Sequence, residues 1–294
     1  MKKIPTDPDF TDLETEEYSG SNPEQNAEFT KKDSTEGYHF YGALRSDVGL
    51  ARERNEDSCF LFTSDSAAPS SLFPMALCLV ADGMGGYEGG DRASKIASRT
   101  AASYLLERLY LPALNGEQPP SQDQIEQMMA EAVLTAHEAV LSPDYLGNGG
   151  TTLTMTLLLG RQLYLAHVGD SRAYWLVEGG LQQLTKDHSL VQRLQDEGKL
   201  TPEEAENFQF RNILIRALGQ DEELLIDVDV RDLPSQGKLL LCSDGLCGEV
   251  SDAQILAIMN QPLPPDQIAD QLIAAALEAG GWDNISAIVT EFMI

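Results

Sequence analysis

The sequence has few positive charges and no long apolar segment. Lys and Arg number 20 against 47 Asp and Glu, which gives a formal net charge of −27. A chain this acidic is repelled by nucleic-acid phosphates and by anionic membrane surfaces, so neither is an expected partner. No apolar run approaches the roughly 18–20 residues that a membrane-spanning helix needs. The first ten residues also lack the apolar core of a signal peptide, so none is expected.

Cysteine and histidine are also scarce, with four of each, and no two cysteines form a CxxC pair. This argues against a zinc site of the Cys-rich kind. Most of the cysteines lie inside apolar runs, which is typical of buried thiols in a reducing compartment, so we expect a cytoplasmic protein. No cysteine is followed by Arg six positions later, which excludes the Cys-x₅-Arg phosphatase loop.

The first 36 residues differ in composition from the rest of the chain. They carry ten acids and four lysines and show no apolar periodicity. Such a segment cannot bury enough apolar surface to fold by itself, so we predict a disordered acidic tail over residues 1–36. A single folded domain is predicted over residues 37–294, because no repeat or linker interrupts it.

Short apolar runs joined by turn residues predict an antiparallel sheet structure. Strands are predicted at 75–81, 152–159, 162–168, 173–177, 224–230, 238–242 and 285–292. Turns at 160–162 and 178–180 indicate hairpins. Helices are predicted at 90–111, 121–141, 187–198, 252–260 and 265–279. Because the helices are grouped and do not alternate with strands, the pattern predicts an α+β fold and not a doubly wound sheet.

Carboxylates recur at the ends of the predicted strands. Asp82, Asp170 and Asp244 each follow an apolar strand, and Asp283 directly precedes one. Further upstream, the pair at 56–57 precedes the apolar run CFLF. Any one of these acids could simply cap a turn. Five segments with the same feature in a sheet protein predict one acidic cluster at the strand ends.

Clustered carboxylates need a positive charge among them, because like charges held close together cannot all stay ionised. A ligand set made of oxygens alone selects hard divalent cations such as Mg²⁺ or Mn²⁺. The glycines that follow Asp82 would let a backbone carbonyl approach such an ion. Paired hard metals activate water for attack on phosphorus, so this cluster predicts phosphoryl chemistry.

Two arginines, Arg52 and Arg54, stand beside the acidic pair at 56–57. A forked guanidinium suits phosphate better than a lysine ammonium does, so Arg52 is a candidate phosphate ligand. The alternative is that these arginines only compensate the charge of Glu56 and Asp57. The residues alone leave both interpretations open.

Seven motifs then occur in the order and spacing of one family. They are SDVGLARERNED, LVADGMGG, GGTT, AHVGDSRAY, LTKDHS, LLLCSDGL and DNISAIV. Together they resemble the bacterial branch of the metal-dependent type 2C serine/threonine protein phosphatases, over roughly residues 40–292. The resemblance implies a central β-sandwich of two antiparallel sheets flanked by pairs of helices. It also implies hydrolysis of phosphoserine and phosphothreonine by a metal-activated water, with no phosphoenzyme.

The resemblance assigns a role to each acid. Asp82 would bridge two Mn²⁺ or Mg²⁺ ions, with Asp244 and Asp283 on the first ion. The Gly83 carbonyl would bind the second ion, and Asp57, with Glu56 as a further candidate, would bind it directly or through water. Asp170 with Asp244 would form a weaker third-metal site, and Arg52 occupies the phosphate-binding position.

Two positions depart from the pattern of this family. Eukaryotic members often have His two residues after the bridging Asp, but Met84 stands here, as in bacterial relatives. A water must therefore protonate the leaving group. In the segment 194–219, interpreted as the flap over the active site, Phe208 and Gln209 replace a common His-Pro pair. This departure affects the expected substrate contacts and not the metal ligands.

Other functions were weighed against this one. The DVDV segment at 227–230 resembles the nucleophile motif of haloacid-dehalogenase-type phosphatases, but its acids lie inside a strand pattern and not at the exit. His188, in the motif LTKDHS, is expected to be structural. A pseudophosphatase that binds phosphoproteins without hydrolysis is the remaining alternative. Expected partners are phosphorylated proteins, including a cognate Ser/Thr kinase or its targets, and the expected state is a monomer.

Overall fold

A computed structural model of the chain describes residues 39–64, 74–85, 89–142, 149–206, 208–210, 212–220 and 223–294. The acidic tail predicted at residues 1–36 lies outside the described residues. The domain boundary placed near residue 37 therefore stays a prediction.

The described strands form two five-stranded antiparallel sheets and one two-stranded ribbon. The first sheet has the order β1-β12-β11-β8-β9, the second has the order β10-β7-β6-β3-β2, and β4 pairs with β5. The strands are β1 His39–Asp47, β2 Ser58–Ser64, β3 Met75–Ala81, β4 Gly83–Met84, β5 Gly150–Thr151, β6 Leu153–Leu159, β7 Gln162–Val168, β8 Arg172–Val177, β9 Gly180–Gln183, β10 Asp227–Asp232, β11 Gln236–Cys242 and β12 Ile285–Met293.

The helices of the described chain lie between and after these strands. They are α1 Gly89–Leu105, α2 Leu111–Leu114, α3 Gln122–Leu141, α4 Leu190–Asp196, α5 Pro202–Glu206, α6 Asp244–Cys247, α7 Asp252–Met259 and α8 Pro265–Glu278. Within the described ranges, no helix combines the length and the apolar character that crossing a bilayer requires.

The first long helix does not run unbroken over 90–111, as the sequence predicted. It ends at Leu105, and a π-helical turn, Leu106–Tyr110, leads into α2. Pro112 explains the change, because a proline ring clashes with the carbonyl four residues earlier in a regular α-helix. The second helix begins as predicted, since Ser121 and Gln124 form a capping box.

Three apolar clusters show how the layers pack. One lies between the second sheet and the pair α1 and α3. Another lies between the first sheet and the helices α6–α8. The third fills the space between the two sheets, with Cys78, Leu165, Leu241 and Ile288 among its members. The molecule is therefore an α+β sandwich of two antiparallel sheets with helices on both outer faces, which confirms the predicted fold class.

Candidate active site

The acids predicted at the strand ends meet in one cleft of about 650 Å³. Of the predicted site residues, those that line it are Arg52, Glu56, Asp82, Gly83, Asp170, Asp244 and Asp283. Asp57 does not form part of the wall. It is only 8% exposed, and its Oδ2 accepts a hydrogen bond of 2.8 Å from Ser243 Oγ. The structure thus brings together the five segments that the sequence singled out.

Strand register explains this convergence. In the second sheet Ser58 pairs with Ala81, so the start of β2 and the end of β3 lie side by side. In the first sheet Cys242 pairs with Ala287, which sets the end of β11 beside the start of β12. Antiparallel neighbours alternate in direction, so one end of the sandwich collects strand starts and strand ends alike.

Two threonines hold the backbone of Asp82. Its amide donates to Thr152 Oγ1 at 2.9 Å, and its carbonyl accepts from Thr151 Oγ1 at 2.9 Å. The carbonyl also accepts from the Thr152 amide at 2.9 Å. Asp82 therefore has a fixed backbone position although it follows the end of β3. The GGTT motif contains both threonines, but nothing in its composition or spacing points to this role.

The glycine after Asp82 is required by close packing. A Cβ atom on Gly83 would lie 2.3 Å from the Gly90 carbonyl oxygen and 2.6 Å from that of Glu56. The Gly83 amide donates to the same Glu56 oxygen at 3.2 Å. Glycine here lets the start of α1 and the loop before β2 approach the cleft wall. Coordination of an ion by the Gly83 carbonyl stays a prediction.

Asn284 is a site residue that sequence reasoning missed. Its side-chain Nδ2 donates to the carbonyls of Val48 and Arg54, both at 2.9 Å, and its Oδ1 accepts from the Glu56 amide at 2.7 Å. The side chain thus ties the loop 48–56 to the start of β12. It is 4% exposed, so these bonds are shielded from water. Its place beside Asp283 was visible in the sequence, but its partners lie some 230 residues away.

Arg52 makes an ion pair inside the cleft. Its Nη2 lies 2.6 Å from Asp283 Oδ2, and the Arg52 side chain is 54% exposed. The sequence analysis did not name this partner, because its charge-compensation alternative paired the arginines with Glu56 and Asp57. The guanidinium is nevertheless at the cleft mouth and accessible to solvent. Its binding of phosphate stays a prediction.

Crowding of the acids is reflected in their protonation. Burial raises the pKa of Asp57 to about 7 and that of Asp170 to about 8, and nearby Asp244 adds to both shifts. Burial, followed by repulsion from Asp57, raises the pKa of Asp82 well above its usual value. Burial also raises the pKa of Asp244 and Glu56. Without a cation, these carboxyls cannot all be ionised at neutral pH.

Two carboxylate oxygens are left over for a ligand. Oδ1 of Asp57 and Oδ1 of Asp244 are buried and accept no hydrogen bond within the described chain. Buried polar atoms without partners are rare and call for an explanation such as a missing ion or water. Among the described residues, no group of three His, Cys, Asp or Glu side chains has the arrangement that would hold a metal ion. The donors fit a hard divalent cation, and Asp283, a further candidate ligand, is paired with Arg52 in this structure.

The shifted pKa values predict an unusual pH dependence for the metal-free chain. Asp57 and Asp170 hold their protons to about pH 7 and 8 when folded, whereas an unfolded Asp releases its proton near pH 3.9. Folding therefore takes up protons, and stability must fall as the pH rises towards 8. We expect the Tm in EDTA to fall between about pH 6.5 and 8.5, and Mn²⁺ to remove this fall.

Two histidines oppose this fall in the lower part of the window. Burial lowers the pKa of His167 to about 4 and also lowers the pKa of His188, so the unfolded state binds more protons at these two residues. An unfolded His is half protonated near pH 6.5 and almost wholly neutral by about pH 7.5, so their opposition ends there. Asp170→Asn removes one of the titrating groups, so its Tm should depend less on pH than that of the wild-type chain. A metal-free Tm that stays constant or rises over this range would contradict the clustered-carboxyl account.

His188 supports the turn that presents Asp170. The Gly169 amide donates to His188 Nδ1 at 3.1 Å, and the His188 amide donates to the Gly169 carbonyl at 2.7 Å. Gly169 has a φ of 117°, a conformation that favours glycine. The geometry agrees with the structural role expected of this histidine.

The segment interpreted as the flap contributes different residues from those singled out. Asn212 and Leu214 line the cleft, together with Met84. Phe208 and Gln209 do not line it, and Phe208 instead packs edge-on against Phe210 at 5.8 Å between ring centres. The replacement of His-Pro by Phe208 and Gln209 therefore does not change the residues that line the cleft.

The DVDV acids lie outside the cleft. Asp227 accepts from Arg216 at 3.0 Å, and Asp229 accepts from Arg231 at 2.6 Å. Both stand on β10, an edge strand of the second sheet. Neither has the position of a nucleophile in the carboxylate cluster.

Comparison with known proteins agrees with this geometry. The family profile of protein phosphatase 2C matches residues 52–278. The serine/threonine phosphatase stp of Listeria innocua is 35% identical over 251 residues, which is 85% of this chain and 95% of that protein.

Solved structures show the same likeness. The Mycobacterium tuberculosis serine/threonine phosphatase PstP/Ppp superposes with a TM-score of 0.72 at 35% identity, covering 86% of this chain and 98% of that one. The catalytic domain of PstP, solved in complex with two manganese ions, has a TM-score of 0.71 at 34% identity. The alignment covers 87% of this chain and 100% of that domain.

Proposed function

The chain belongs to the protein phosphatase 2C family, and we propose that its cleft removes phosphate from phosphoserine and phosphothreonine in proteins. One observation carries the proposal. Acids from five distant segments converge on a single cleft, where two buried carboxylate oxygens of the described chain lack partners. A related catalytic domain was solved with two manganese ions, and carboxylate oxygens suit Mn²⁺ and Mg²⁺.

The proposed ligand set is the one that the family resemblance implies. Asp82 would be shared by both ions, and its carboxyl, whose pKa burial raises, is close enough to those of Asp57, Asp244 and Asp170 for their charges to raise that pKa further. Asp244 and Asp283 would hold one ion. The Gly83 carbonyl would hold the other, with Glu56 beside it. Asp57, which is buried and does not line the cleft, would bind this ion directly or through a water. When bound, the ions supply a water activated for direct attack on phosphorus and neutralise charge on the phosphate.

The remaining groups orient the substrate and leave the proton to solvent. Arg52 is free to swing from Asp283 to a phosphate, because more than half of its side chain is exposed. A guanidinium binds two phosphate oxygens at once and so fixes the phosphorus for in-line attack. Met84 lines the cleft but has no proton to donate. The leaving alkoxide therefore takes its proton from a water molecule.

Phosphate release from a phosphothreonine peptide and from p-nitrophenyl phosphate tests this function. We expect turnover with Mn²⁺ or Mg²⁺ and none in excess EDTA. The pseudophosphatase alternative predicts that the chain binds Mn²⁺ and the phosphopeptide but releases no phosphate. All the carboxylates of the proposed ligand set are present, which supports the enzyme and not this alternative.

Arg52→Ala should chiefly raise KM for a phosphorylated peptide, because a charge-assisted contact with the phosphate is lost. Loss of one such contact corresponds to roughly 1.5–3 kcal/mol, or about a ten- to hundred-fold rise in KM. Steady-state kinetics at saturating Mn²⁺ measure it, with Arg231→Ala on β10 as the control. An unchanged KM would favour charge compensation as the role of Arg52.

Asp170→Asn separates a third-metal ligand from a turn residue. Asn supports a turn nearly as well as Asp but carries no charge. If Asp170 helps to bind a weak third ion, turnover falls while two ions stay bound. Metal stoichiometry measured beside kcat decides between the roles. Near-normal turnover with unchanged metal content would leave Asp170 as a turn residue.

The physiological setting is a further part of this proposal. Phosphorylated proteins are the substrate class, and the products of a Ser/Thr kinase would supply them. The four cysteines, all free thiols in the structure, agree with a reducing cytoplasm. Phosphoproteomics of a deletion strain would identify the substrates.

A further inference from the structure

A second groove opens beside the catalytic cleft. It measures about 490 Å³ and shares Arg52, Asp170, Asn212, Asp244 and Asp283 with the cleft. A peptide whose phosphorylated residue enters the cleft must continue into neighbouring surface, and this groove is continuous with the cleft wall. The residues that line only this groove are therefore candidates for contact with the part of the substrate that flanks the phosphate.

Trp282 is the most exposed large apolar side chain of this groove. It directly precedes Asp283 and is 65% exposed. Its neighbour across the loop, Leu50, is 72% exposed, and the Leu50 amide donates to the Gly281 carbonyl at 2.7 Å. Single exposed apolar residues are ordinary, but an exposed indole at the rim of a reaction cleft is a typical recognition element.

The indole is held in place by a glycine. Gly280 has a φ of 138°, and a Cβ atom there would lie 2.2 Å from Trp282 Nε1. The ring therefore packs directly against the backbone of Gly280. Packing on this side limits the orientations of the ring, which lowers the side-chain entropy lost when a substrate stacks on its open face.

The charges that line the groove indicate which substrate side chain would stack on Trp282. Among the described acids that line the groove, Asp187 pairs with Arg172, and Asp170, Asp244 and Asp283 belong to the proposed metal ligands. Glu249 is the remaining acid of the groove, and it has no ion-pair partner within the described part of the chain. The chain as a whole carries −27, which repels a phosphorylated peptide unless that peptide brings positive charge.

We propose that Trp282, with Glu249, selects substrates in which a Lys or Arg flanks the phosphorylated residue. The cation stacks on the open face of the indole and lies within the field of the Glu249 carboxylate. This inference rests on the proposed phosphatase function and adds a substrate class to it. Trp282 is then a specificity-determining residue and takes no part in the chemical step.

A peptide set tests the proposal. A single Arg is placed in turn at each of about four positions on either side of phosphothreonine. Because an extended chain advances about 3.3 Å per residue, these positions sample a range of distances from the cleft. Each peptide has a counterpart with norleucine, which is apolar and uncharged, at the same position. The measured quantity is the ratio of kcat/KM for the Arg peptide to that for its counterpart. A ratio cancels any general loss of activity in a variant.

The wild-type chain should prefer Arg by about two- to five-fold at one or more positions, as expected for an exposed cation–π contact. Trp282→Ala should bring the ratio close to one, and Trp282→Phe should retain most of it. Glu249→Gln should lower the ratio and reduce its dependence on salt. Tyr41→Ala is the matched control, because Tyr41 is 56% exposed but lines neither the cleft nor the groove.

The inference would be overturned if the wild-type chain showed no preference for Arg, or if its preference for Arg survived Trp282→Ala. It would also be overturned by a preference for norleucine that depends on Trp282, because the side chain bound there would then be apolar. Turnover of p-nitrophenyl phosphate, which has no flanking residue, is measured in parallel. If the wild-type chain hydrolyses neither this compound nor any peptide, it is the proposed function that fails.

Discussion

Asp82→Asn should lower kcat by at least about 10²–10³-fold at saturating Mn²⁺, because metal-assisted activation of water depends on the central carboxylate. The side chain keeps its shape, and the bonds from Thr151 and Thr152 reach only the Asp82 backbone. The loss would therefore be chemical and not a collapse of the loop. Asp244→Asn should behave in the same way.

The thermal stability of metal-free Asp82→Asn should not fall with its activity. In the metal-free chain the amide removes one carboxyl from a cluster whose members raise each other's pKa. Its Tm in EDTA should equal or exceed that of the wild-type chain, as is common where function keeps an unfavourable group in place. Asp229→Asn, outside the cleft on β10, is the control for both measurements. Near-normal turnover of Asp82→Asn would remove the basis of the mechanism.

Asn284→Ala should reduce both stability and activity. It leaves two carbonyls and one amide of the loop 48–56 without their partner in a shielded position. Each such group costs about 1–3 kcal/mol, so we expect a loss of at least about 3 kcal/mol in the free energy of unfolding. The same loop carries Arg52 and Glu56, so kcat/KM should fall even at temperatures where the variant is folded.

Chemical denaturation and steady-state kinetics below the transition measure the two effects of Asn284→Ala. Asn260→Ala, at the exposed end of α7, serves as the control and should change neither by much. Asn284→Asp keeps an acceptor for the Glu56 amide but loses both donors, and it adds a charge beside the acids. It should therefore be at least as damaging. A stable, active Asn284→Ala would show that the loop is held by other contacts.

The sequence predicted the central strands better than the edges. Strands β3 and β7 have the predicted bounds, and β6, β8, β11 and β12 differ by two residues or fewer at each end. These strands are covered by the other sheet on one face and by helices on the other, so they are continuous apolar runs. The sequence did not predict β1, β2 and β9, which lie at sheet edges, or the two-residue strands β4 and β5. The predicted strand 224–230 begins three residues before the edge strand β10. Edge strands mix polar and apolar residues, which weakens the signal.

The site residues could be predicted only where the signal lies in the local sequence. The acids could be grouped because each one stands at a strand boundary, which is a local property of the sequence. Asn284, the two threonines behind Asp82 and the pairing of Arg52 with Asp283 depend on contacts between residues about 70 to 230 positions apart. No spacing rule encodes such contacts. They follow only from the register that brings both sheets to one end of the sandwich.

Anomalous diffraction from crystals grown with Mn²⁺ tests the central claim most directly, because it locates manganese without reference to activity. The account predicts two manganese peaks in the cleft, with the Asp82 carboxylate in contact with both and the Arg52–Asp283 ion pair opened. Manganese bound elsewhere, or a cleft without a peak in crystals of an enzyme that is active with Mn²⁺, would contradict it.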